Sequence, residues 1–113
     1  MDNDELLDMR FKISPKIEFE VDENGIVTIL EIQDHKIQKF FRKLKFKIPK
    51  YKKTKLDDFG STVFLELNKN KTVREVGEAL ELKFGEKVHP LYERLLVFIN
   101  HIYLNLNYIE KLS

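Results

Sequence analysis

The sequence predicts an α+β domain in which an N-terminal β-hairpin and a third strand precede a three-helix bundle. Three observations carry that expectation. Residues 16–21 alternate, with Ile17, Phe19 and Val21 on one side and Glu18 and Glu20 on the other, as a half-buried strand does. Asp22-Glu23-Asn24-Gly25 contains the Asn-Gly hairpin signal and leads into a second strand, residues 26–32. Beyond residue 56, apolar residues recur at steps of three and four in three successive segments.

Taken in order, residues 1–15 form an N-terminal extension with a weak helical pattern (Leu6, Leu7, Phe11) that ends at Ser14-Pro15. The second strand is apolar on both faces and is expected to sit centrally, covered on both sides. Ile37, Phe40, Phe41 and Leu44 fall at helical spacing, with Lys36, Lys39, Arg42 and Lys43 between them. This predicts a basic helical insertion over residues 34–47, closed by Pro49. Residues 51–56 read as a third strand whose lysines suit an exposed sheet edge.

The first helix of the bundle is capped by Asp57 and turns Phe59, Val63, Phe64 and Leu67 inward. Thr72-Val73-Arg74-Glu75 is a capping box opening the second helix, whose inner face is Val73, Val76, Leu80 and Phe84 and which Gly85 ends. Pro90 suits the first turn of the third helix. There Leu91, Leu95, Phe98, Ile99, Ile102 and Leu106 form a core stripe. A second apolar stripe on this helix, Tyr92, Leu96, Tyr103 and Leu104, either packs on the N-terminal segment or faces a partner.

A length of 113 residues fits a single domain over residues 1–113, and 42% hydrophobic with 35% charged residues places the chain among globular proteins. With no cysteine, disulfides, thiolate metal sites and a cysteine nucleophile are excluded, and a reducing interior suits the chain. The segment Met1-Asp2-Asn3-Asp4-Glu5 is acidic where a secretory signal is basic, and no apolar run approaches the roughly 20 residues of a membrane span. A cytoplasmic protein is expected. Asn70-Lys71-Thr72 matches the glycosylation sequon and is read as coincidence in that setting. The net charge of +1 conceals an asymmetry: from Lys36 to Lys55 there are ten basic residues and no acidic one, leaving the rest strongly acidic. Such a segment meets something acidic or keeps an edge soluble.

Residues for catalysis are sparse. His35, His89 and His101 have no metal-ligand spacing, and Gly25, Gly60, Gly77 and Gly85 form no phosphate loop. Asp57-Asp58 reads as a helix cap complementing the dipole, and Ser61 has no histidine placed to activate it. No metal or cofactor is expected, and the chain reads as a non-enzyme.

The stretch Leu56-Asp57-Asp58-Phe59-Gly60-Ser61-Thr62-Val63-Phe64-Leu65-Glu66-Leu67, then Thr72-Val73-Arg74-Glu75-Val76, then Tyr92-Glu93-Arg94-Leu95-Leu96-Val97-Phe98-Ile99, resembles the PqqD family over residues 51–112. Two features depart from the family pattern. Asn68-Lys69-Asn70-Lys71 replaces the usual Asp-Gly turn, and the basic segment precedes the third strand. The resemblance implies a winged-helix-like domain that takes the leader of a ribosomally made precursor peptide as an added strand beside the third strand, against the third helix. It also implies a partner among radical-based peptide-modifying enzymes.

Read from the residues, an exposed lysine-rich edge and a helix with a spare apolar stripe are the two parts of strand-addition recognition. The expected peptide-binding residues are Lys50, Tyr51, Lys52, Lys53, Thr54 and Lys55 on the strand and Tyr92, Leu96, Ile99 and Tyr103 on the helix. The lysines favour an acidic leader. The rival reading is a winged-helix nucleic-acid-binding protein, drawn from three helices, a wing and the basic run. Against it, the last helix offers few base-reading side chains, Arg94, Asn100, Asn105 and Asn107, among many apolar ones. A homodimer burying the spare stripe is compatible with either reading.

Overall fold

A computed structural model describes residues 3–32 and 51–112. The expected insertion over residues 34–47, and Lys50, lie outside the described residues. The chain runs α1 (Asn3–Leu7), β1 (Phe11–Ile13), β2 (Ile17–Val21), β3 (Val27–Ile32), β4 (Tyr51–Lys55), α2 (Asp58–Leu67), α3 (Val73–Phe84), a 3-10 turn (Gly85–Val88), α4 (Leu91–Asn100), which widens into a π-turn (His101–Asn105), and β5 (Ile109–Lys111). The architecture is mixed α+β, a small antiparallel sheet with helices packed on it.

β2, β3 and β4 form a three-stranded antiparallel sheet with β3 in the centre, as its two apolar faces require. Val27 and Ile29 are fully buried on the helix side, and Leu30 on the opposite face is only 6% exposed. The β2–β3 hairpin turns at Asp22, whose Oδ1 accepts from the Asn24 and Ile26 amides at 2.8 and 3.0 Å. Gly25 supplies the positive φ of 80° that this turn needs.

The ends of α2 and α3 are set by the chemistry in their sequence. Asp57 Oδ1 accepts from the Gly60 amide at 2.7 Å, and Thr72 and Glu75 form the reciprocal capping box at 3.2 and 3.0 Å. Gly85 ends α3 at a φ of 61°. Val63, Phe64, Leu67, Val73, Val76, Leu80, Leu95, Ile99 and Ile102 make one core with the helix face of the sheet. There Phe19 meets Phe64 edge-to-face, with centroids 4.9 Å apart.

Ser61 is a structural residue. It is fully buried on α2, and its Oγ accepts the Val27 amide of β3 at 2.8 Å, joining helix to sheet. Ser61→Ala leaves that buried N–H unpaired, and a loss of about 1–3 kcal/mol in urea unfolding is expected.

The N-terminal extension departs from its expected helical pattern. Only Asn3–Leu7 is helical, and Phe11 belongs to β1, which pairs antiparallel with β5, Phe11 opposite Lys111 and Ile13 opposite Ile109. Neither strand is legible in the sequence, because each spans three residues and owes its pairing to a partner about a hundred positions away. The clasp is tied to the rest through Val73 N–H to the Met9 carbonyl (3.0 Å) and Ser14 N–H to the Tyr108 carbonyl (2.9 Å).

The α2–α3 turn is held by Glu66, which accepts from Lys71 Nζ and, at 3.0 Å, from Lys69 Nζ. Burial raises the Glu66 carboxyl, but the hydrogen bonds and charges of Lys71 and Lys69 outweigh it and hold it below its ordinary value of 4.5. A depressed carboxyl contributes stability that is present above its unfolded value and is lost as pH falls through the folded one. The urea midpoint should therefore fall on acidification below about pH 4.5. Glu66→Gln should lower the midpoint near neutrality and flatten this acid dependence.

Candidate functional site

β4 is an edge strand: among the described residues it pairs with β3 alone. The Leu56 amide donates to the Val27 carbonyl at 2.9 Å, and the register sets Thr54 opposite Ile29 and Lys52 opposite Glu31. Antiparallel strands alternate their bonding direction, so Leu56, Thr54 and Lys52 turn their backbone groups to β3. Lys53 and Lys55 turn theirs away from β3, to an edge that pairs with nothing among the described residues. Lys52, Lys53 and Lys55 are exposed, and among the described residues they form no ion pair.

Thr54 points to the helix side. On that side the Tyr108 phenol donates to Glu31 Oε1 at 2.7 Å. Burial pushes that phenol above its ordinary value, and the Glu31 hydrogen bond adds to the rise, against a smaller opposing effect of Thr54. The Tyr108–Glu31 bond thus fixes β3 to the segment after α4.

The expected helix residues separate on inspection. Ile99 is fully buried in the core and reaches no surface ligand, which corrects its assignment to the site. Tyr103 packs edge-to-face on Phe11 of β1, centroids 5.0 Å apart, so the N-terminal segment takes it. Tyr92 lies over Gly77 of α3, so close that a Cβ there would sit 2.7 Å from its ring. Leu96 is half-buried and lines a shallow hollow of about 360 Å³ with Tyr92, Val97 and Asn100.

A more apolar groove of about 450 Å³ opens on the adjoining side of α4, between that helix and Phe59. Arg94, Val97, Phe98 and His101 line it at i, i+3, i+4 and i+7, with Pro90 and Glu93 at its start. Phe59 and Phe98 meet edge-to-face at 6.1 Å. Phe98 also rests on Gly60, where a Cβ would lie 3.0 Å from its ring, so glycine sets the depth of the groove floor. The Arg94 guanidinium lies 4.6 Å from the Phe59 centroid and donates to the Lys87 carbonyl at 3.2 Å.

Phe59 follows Lys55 by four residues, so the groove lies within about 14 Å of the end of β4. The sequence assigned Phe59 and Phe98 to the core, and both pack against it half-buried while also lining the groove. The signal for the groove is the i, i+3, i+4, i+7 spacing of Arg94, Val97, Phe98 and His101 on one helical face.

Among the described residues no helix is long and apolar enough to cross a membrane, and no group of three or more His, Cys, Asp or Glu is placed to hold a metal. Comparison with protein-family models, with curated proteins and with solved structures returns no significant match.

Proposed function

We propose that the chain is a non-catalytic adaptor of winged-helix-like build. It captures an extended, acidic peptide as a further strand beside β4 and presents it to a modifying enzyme. The observation that carries this reading is the outward-facing backbone of Lys53 and Lys55 on an edge strand within reach of the Phe59–Phe98 groove. Main-chain bonds would hold the peptide, the lysines would draw its carboxylates, and the groove would take an apolar side chain. By its resemblance to the PqqD family, the peptide is the leader of a ribosomally made precursor and the enzyme a radical-based one. A cysteine-free chain suits the cytoplasm, where such leaders are made.

The exposed face of α4 and its π-turn speaks against a groove-reading DNA helix: Val97 is 70% and Leu104 61% exposed, and Arg94 is stacked on Phe59. The test is an NMR titration of isotope-labelled protein with a pool of short acidic leader peptides, and with duplex DNA as control. Saturable shifts confined to residues 51–56, Phe59 and α4 are expected. Shifts with DNA alone, sensitive to salt, would replace this reading with the nucleic-acid one.

A further inference from the structure

We propose that the peptide recognised at β4 alternates acidic and large apolar residues in single steps, two acids at i and i+2 lying over Lys53 and Lys55. This rests on the strand-addition reading and specifies its ligand.

Lys53 and Lys55 present the backbone groups of the edge that are unpaired among the described residues, so the ligand residues bonded there are fixed two positions apart. Side chains directly opposite in an antiparallel pair lie on the same face. Those two ligand residues therefore lie beside the Lys53 and Lys55 ammonium groups, which are exposed and without an ion pair among the described residues. Acids at these positions gain a cross-strand partner, and lysines there meet like charge. The intervening ligand residue falls opposite Thr54, on the side that the helices cover, where an apolar side chain loses water.

The sheet already holds one strand of this kind. β2, on the other side of β3, reads Ile17-Glu18-Phe19-Glu20-Val21. Its Phe19 packs on Phe64 while Glu18 and Glu20 stay exposed on the outer face, the face of Lys53 and Lys55. A ligand strand at β4 with the same alternation extends that arrangement, and there the acids find positive charge.

Two synthetic probes of equal composition and charge test the inference on the full chain: Gly-Ile-Glu-Phe-Glu-Val-Gly and its block isomer Gly-Glu-Glu-Ile-Phe-Val-Gly. The alternating probe is expected to bind about tenfold more tightly, with the largest amide shifts at Lys53 and Lys55. N-methylation of both its glutamates should abolish binding. The double variant K53E/K55E should instead prefer the probe carrying lysines in place of glutamates. Equal binding of the two isomers at β4 would overturn the alternation and leave strand addition standing. No shift at β4 from either probe, while leader peptides do shift it, would likewise overturn this inference alone. Silence of β4 toward the leader pool as well would overturn the reading beneath it.

Discussion

Ile99→Ala is expected to lower the unfolding free energy by about 2–5 kcal/mol, a large share of the roughly 5–15 kcal/mol typical of a small domain. Ile99 is fully buried where α4 meets the rest of the core, so truncation removes packed methyl groups and leaves a cavity that fixed helices close poorly. Val97, two positions earlier on the same helix, faces solvent and the groove. Val97→Ala is expected within about 0.5 kcal/mol of the parent, while Val97→Asp should weaken peptide binding without unfolding the chain. Urea unfolding of the three variants checks the rotation of α4. A cost below about 1 kcal/mol for Ile99→Ala would mean that the buried stripe has been misplaced.

The second large effect separates the two edges of β4. Thr54→Pro removes an amide that the register turns toward Ile29 and orphans that carbonyl. A loss of about 1–3 kcal/mol for the orphaned carbonyl alone is expected, with the β3–β4 pairing weakened further. Lys53→Pro removes an amide that faces the free edge, a position where strands accept proline. It should keep the fold and weaken peptide binding about tenfold, since one main-chain bond to the ligand is lost. Circular dichroism and unfolding report the first effect, and a binding titration reports the second. A Lys53→Pro protein that folds and binds unchanged would remove strand addition as the mode of recognition.

Much of the fold is legible in the residues because its signals are local. Alternation over residues 16–21, Asn24-Gly25, the Thr72–Glu75 capping box and Gly85 act over a few positions, and each element forms where those signals put it. The lysines of residues 52–55 likewise mark an edge, since charge on a strand is compatible with water on one side. The basic strand expected over residues 51–56 forms as β4, whereas the apolar groove on α4 is lined by Arg94, Val97, Phe98 and His101 and not by Tyr92, Leu96, Ile99 or Tyr103.

The reason lies in α4 itself. Apolar residues occur around most of this helix, so periodicity identifies a helix without saying which stripe faces inward. That choice is made by neighbours far apart in sequence. Phe11 of β1 takes Tyr103, Gly77 of α3 receives Tyr92, and Gly60 of α2 admits Phe98 beside Phe59. The β1–β5 clasp is of the same kind, two short strands whose pairing exists only once the chain ends meet. The sequence by itself determined the β2–β3 hairpin, the basic strand β4, the three longer helices and the caps at Asp57, Thr72 and Gly85, all set by interactions within a few residues. Tertiary packing decided the rotation of α4 and the groove beside Phe59, because those depend on which distant surfaces exclude water together.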